Sequence, residues 1–187
     1  MSVLDLSCSQ SFSFAPPCSL PCKNSERALL GCGYQLFLYF EIPSCVSPCS
    51  IKKARLVLFK LPDSGTRYYQ DTSPNPFFAY PLLDFYSPYG CLYAPPSIDG
   101  GREVIFYDDA SRCCTEADVT DLATAWADGS IENKGLILTA GEGSKLITYA
   151  SDRHEIWGMR PMLRLVCGNN PECQPLSMRE CEVALQF

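Results

Sequence analysis

The sequence predicts an all-β sandwich with one short helix and extended N- and C-terminal segments. Apolar and polar residues alternate over several short runs, which is the period of a half-buried strand. Clusters of Gly, Pro, Asp and Asn punctuate those runs at the close spacing of a two-sheet domain. A single stretch carries helical periodicity.

Taken in order, Ser11, Phe12, Ser13 and Phe14 alternate and end at Pro16-Pro17, a short strand followed by a stiff connector. Residues 1–23, rich in Ser, Pro and Cys, are expected to form a connector or donor segment. Residues 24–167 are expected to hold the sandwich, with strands over Tyr34–Phe40, Ala54–Phe59, Glu103–Tyr107, Gly135–Ala140, Lys145–Ala150 and Met162–Val166. Gly141 to Lys145 lacks the spacing and following helix of a phosphate loop and reads as a hairpin turn.

Between Thr120 and Asp128, the residues Val119, Leu122, Ala123 and Trp126 give a helix one apolar face. Asp118 or Thr120 is expected to cap its start and Gly129 to end it, while Trp126 is expected to plug one end of the sandwich. Residues 168–187 read as a turn and a last strand in which Val183, Leu185 and Phe187 alternate.

Composition narrows function. The chain has 187 residues, 15 Lys+Arg against 21 Asp+Glu and a formal net charge of −6. A sequence pI near 4.8 leaves no basic footprint for nucleic acid. No apolar run reaches the ~18–20 residues of a membrane span. Asp5 and many serines, with no Lys or Arg before Lys23, do not make an export signal.

Twelve cysteines are present, without a CxxC pair or a neighbouring histidine. Paired zinc knuckles are therefore not expected, and neither a metal nor another cofactor is assigned. Crosslinking explains the sulfurs better, because they concentrate outside the predicted core. The candidates for bonds between subunits are Cys8, Cys18, Cys22, Cys113, Cys114, Cys167, Cys173 and Cys181.

No enzyme is expected. His154, the lone imidazole, sits in a loop and reads as a surface or hydrogen-bonding residue. Asp108 and Asp109 are adjacent, so their side chains point to opposite faces and cannot share a substrate.

The segment Ala117-Asp118-Val119-Thr120-Asp121-Leu122, then Trp126, Gly129, Asn133-Lys134-Gly135-Leu136 and Pro161-Met162-Leu163-Arg164-Leu165, resembles the DNRLRE domain family. Glu41-Ile42-Pro43 and the strand from Ile51 to Leu58 fit the same pattern. The resemblance implies a jelly-roll sandwich akin to carbohydrate-binding modules and the transforming growth factor β propeptide. Its signature residues here are Asp118, Thr120, Trp126, Asn133 and Gly135, each with a structural task, so the motif identifies a fold and no reaction.

The resulting expectation is a structural subunit of a self-assembling, disulfide-crosslinked fibre, appendage or coat. It would polymerise by terminal-strand addition through Phe12 and Phe14, or through Val183, Leu185 and Phe187. Expected partners are copies of itself and other spore- or cell-surface proteins, in an extracellular or spore-surface setting reached without an evident signal peptide. The alternative is a carbohydrate-binding module, with a glycan held by aromatic rings between Tyr68 and Tyr93.

Overall fold

A computed structural model describes residues 1–15, 25–62, 76–88 and 94–168. Alternation in the sequence becomes alternation in burial, and the strands stack in two layers. The first layer orders as β1 (Ser2–Ser7), β11 (Met162–Cys167), β5 (Ile51–Phe59) and β8 (Cys114–Asp118). The second orders as β2 (Gln10–Phe14), β4 (Gln35–Tyr39), β9 (Leu136–Ala140), β6 (Pro76–Pro81) and β7 (Val104–Tyr107). All of these pairings are antiparallel.

A short pair, β3 (Arg27–Leu30) with β10 (Ile147–Ala150), extends the first layer beyond the end of β5. There Lys60 bridges Tyr149, and the Leu61 amide donates to the Thr148 carbonyl. Thus β5 pairs with β11 along most of its length and meets β10 at its tip. From β4 onward the chain passes repeatedly between layers, with β5, β8 and β10–β11 in the first and β4, β6, β7 and β9 in the second. That interleaving is jelly-roll connectivity.

Inward-facing Leu36, Leu38, Leu56, Leu58, Phe77, Leu136, Leu138 and Leu163 are essentially inaccessible to solvent. Each large side chain contributes about 1.5–3 kcal/mol by leaving water. The outer faces differ sharply. On the first sheet, Arg164 makes a two-pronged ion pair with Asp5 at 2.7 and 2.8 Å, and Arg55 meets Glu116 at 3.2 Å. On the second, Phe12, Phe14, Phe37 and Ile137 form a separate apolar cluster beneath Leu82 and Tyr86. Phe12 stacks on Phe37 with ring centroids 4.6 Å apart, as cross-strand aromatic partners do.

The helix α1 (Thr120–Ala127) closes one end, burying Leu122, Ala123 and Trp126. Its start differs in detail from the expected cap. Val119 occupies the N-cap position without a side-chain hydrogen bond, while Asp118 accepts from both the amide and the hydroxyl of Thr120. The Thr120 hydroxyl in turn accepts from the Ala54 amide, fastening the helix to β5. Gly129, at φ 74°, supplies the left-handed residue just past the helix.

Two expectations need correction, and a third lies almost wholly outside the described residues. Residues 2–14 are not a connector outside the domain, because β1 and β2 are hydrogen-bonded members of the two sheets. The turn at Gly141 to Lys145 joins strands of different layers instead of closing a hairpin. The expected segment 168–187 lies, from residue 169 onward, outside the described residues. Strands β1, β3, β6 and β8 were not anticipated; β6 hides in a Pro- and Tyr-rich stretch, with prolines at both its ends.

Gly135 shows how close packing fixes a sequence position. It stands at φ 98°, and a Cβ there would lie 2.8 Å from the Leu38 carbonyl and 2.9 Å from the Phe37 ring. Gly135→Ala should therefore cost about 2 kcal/mol or more of stability, measured by urea unfolding. Deleting residues 1–14 should abolish the cooperative thermal transition in circular dichroism, since both sheets lose an edge strand.

Candidate functional site

The most reactive chemistry in the sequence is sulfur, so the site is built from where the fold places thiols. Cys113 and Cys114 sit where the β7–β8 connection enters β8, the first exposed and the second half-buried. The Cys113 carbonyl accepts from the Lys60 amide, which fixes the backbone at that point. Burial raises the Cys114 thiol pKa, and its neighbours Cys113 and Glu116 push the same way. Cys167, half-buried, ends β11.

Register separates these sulfurs. Cys114 lies opposite Phe59 and Cys167 opposite Ile51. The two positions are eight residue steps apart along one strand, about 26 Å at ~3.3 Å per step. A disulfide requires Cα atoms within about 7 Å, so Cys114 and Cys167 of one folded chain cannot join. They are two outlets at opposite ends of the first sheet.

Cys32 belongs with them, although it was absent from the sequence-derived set. It is exposed in the Gly31-Cys32-Gly33 turn between β3 and β4, at φ 51°. Its two flanking glycines were the available signal, since they mark a tight turn that puts the intervening side chain in solvent. Cys45 and Cys49, likewise outside that set, are disulfide-bonded.

Cys8 must be withdrawn as an outward crosslinking residue. It lies where the chain crosses from β1 to β2, 6% exposed within the main core, and its Sγ donates to the Gln10 carbonyl at 3.0 Å. Burial pushes its pKa up to about 12, which keeps it a thiol. Cys18, Cys22, Cys173 and Cys181 lie outside the described residues, as do Val183, Leu185 and Phe187. Phe12 and Phe14 are buried on their own sheet at 4% and 2% exposure, so they are not free donor side chains.

The signature residues are structural. Asn133 donates to the Phe40 carbonyl at 2.7 Å and accepts from the Gly135 amide at 3.2 Å, setting the entry to β9. Trp126 seals the helix end of the core and borders a cavity of about 360 Å³ with Tyr39, Glu41, Pro43 and Asn133. His154 is buried, not on the surface, and its Nδ1 accepts from the Ile156 amide at 3.2 Å.

Of the aromatic stretch proposed for a glycan, Phe77 is fully buried and Tyr86 packs on Phe14 at 5.5 Å between centroids. Tyr68, Tyr69, Tyr89 and Tyr93 fall outside the described residues. Asp109 turns outward to the Ser111 amide and hydroxyl, whereas Asp108 points inward to Lys60 and Thr115, so the two carboxylates part company. Sequence reasoning missed the group in which Lys60, Asp108 and Thr115 meet the hydroxyl of Tyr149.

Two measurements test this placement. Brief treatment of the native chain with iodoacetamide should label Cys32 and Cys113 first and leave Cys8 unlabelled until denaturant is added, as read by peptide mass spectrometry. Cys8 binds its proton more tightly when folded than at its ordinary value of 9.0. Its contribution is complete below pH 9 and is lost as pH rises toward about 12. Tyr149, also raised by burial, acts in the same direction. Unfolding free energy should fall by up to ~1.4 kcal/mol per pH unit for each group, from above pH 9 for Cys8 and only from above pH 10 for Tyr149, and less steeply in Cys8→Ala.

No family model matches the chain, and no curated protein matches it either.

Proposed function

We propose that the chain is a structural subunit that joins copies of itself into a disulfide-crosslinked fibre or surface appendage. The observation that carries this reading is the placement of accessible or half-accessible sulfur at both ends of β5, too far apart to pair within one molecule. A subunit with outlets at two ends can be linked on both sides. Head-to-tail contacts of that kind continue into filaments when the rotation between copies does not close a ring.

Edge geometry supports the same reading. Among the described residues, β1 pairs with β11 on one side and with no strand on the other. Its outer edge offers amides and carbonyls to an added strand. The alternating residues Val183, Leu185 and Phe187 of another copy are the proposed donor. Phe12 and Phe14 are dropped from that role because their own sheet uses them. The resemblance to DNRLRE domains, and an extracellular or spore-surface setting, belong to this proposal.

A glycan-binding reading is less well supported, because Phe77, Tyr80 and Tyr86 serve packing and Phe85 alone of the described aromatic residues in this stretch is largely exposed. No helix among the described residues is long and apolar enough to cross a membrane.

Air-oxidised full-length chain should run as a ladder on non-reducing electrophoresis and collapse with reductant to the 20.7 kDa monomer. Replacing Cys113 and Cys114 together by Ser should shorten the ladder. A monomer without reductant, in material already oxidised, would remove this reading.

A further inference from the structure

We propose that Lys60 and Asp108 condense within the folded chain to form an internal amide that staples the two sheets together. This is independent of any assembly through cysteine. Lys60 Nζ lies 2.6 Å from Asp108 Oδ1, with side-chain exposures of only 16% and 13%. The amine is held from several directions. Its residue bridges Tyr149, its backbone amide donates to the Cys113 carbonyl, and Nζ also donates to the Asp109 carbonyl at 2.6 Å.

Around the carboxyl the arrangement is equally directed. The Thr115 hydroxyl donates to the same Oδ1 at 2.5 Å, and Thr115 is itself 2.9 Å from the hydroxyl of Tyr149. Thr115 and Tyr149 are buried, at 2% and 0% exposure. Both side chains are largely withdrawn from water, where an ion pair is costly to maintain. An amine and a carboxyl fixed in contact also bypass the entropic cost of meeting.

The step balances without oxidant or co-reactant. One proton passes from the Lys60 ammonium to the Asp108 carboxylate, leaving a neutral amine and a carboxylic acid. The Nζ lone pair then adds to Cγ, and the displaced electron pair settles on Oδ1, where the Thr115 hydroxyl stabilises it. As the carbonyl re-forms, the bond from Cγ to the other oxygen breaks. That oxygen leaves as water, carrying a proton released by Nζ. The products are one amide and one water molecule.

The location suits a staple. Lys60 follows β5 in the first sheet, and Asp108 follows β7 in the second. Ordinary hydrogen bonding of the sheets provides no covalent tie between these layers.

The test is the intact mass of the full-length chain, folded, then reduced and denatured so that disulfides do not contribute. The expected mass is one water below that of the sequence, restored to the full value in both Lys60→Arg and Asp108→Ala. Proteolysis of the native-sequence chain should release one branched peptide joining the Lys60 and Asp108 segments. The full sequence mass in the unaltered chain would overturn the proposal and leave an ion pair only. A water deficit that persists in Lys60→Arg would also overturn it, because Asp99-Gly100 can dehydrate on its own. Mass is read on denatured material, so poor folding of the Asp108→Ala variant does not prevent the measurement.

Discussion

Strand β5 is the constraint on which the rest of the molecule depends. Its inward residues Ala54, Leu56 and Leu58 are buried in the centre of the first sheet, so its register cannot slip without exposing that row. With register fixed, everything attached to β5 is fixed too. Ile51 sets the position of Cys167, Phe59 sets that of Cys114, and the Ala54 amide anchors the helix through Thr120. The following residue, Lys60, is carried past the end of the sheet to a point where β8, β10 and the connection after β7 converge.

The two outer faces are finished in different ways. Charge pairs cover the first sheet, and exposed pairs of this type contribute little to stability, with a median of about 0–1 kcal/mol. The Arg164 guanidinium nevertheless holds the Asp5 carboxyl below its usual pKa, because its two-pronged geometry favours the ionised form. On the second sheet, a layer of rings needs its own cover, which Leu82 and Tyr86 provide. That extra cluster takes up Tyr80 and Tyr86 of the stretch that the sequence alone left open between packing and sugar recognition, whereas Phe85 stays exposed.

Cysteine number proved a poor guide to cysteine role. Cys8 and Cys113 look alike in sequence, each beside small or polar residues, yet one is sealed in the core and the other faces solvent. The difference arises because the chain at Cys8 crosses between layers, carrying its side chain through the interior. At Cys113 it turns at the end of the sandwich. Neither event leaves a local mark, since each depends on which distant strands pair.

The sequence by itself determined the class of structure and most of the strands, because alternation and turn residues are local and the backbone obeys them locally. It also determined the helix, whose apolar face and terminal Gly129 lie within one short stretch. Tertiary structure alone decided that the first fourteen residues supply edge strands to both sheets, since Ser2–Ser7 needs Met162–Cys167 as its partner. It likewise decided the meeting of Lys60, Asp108, Thr115 and Tyr149. Those residues are spread over four segments, and long-range strand pairing, which no local pattern encodes, is the physical cause of their contact.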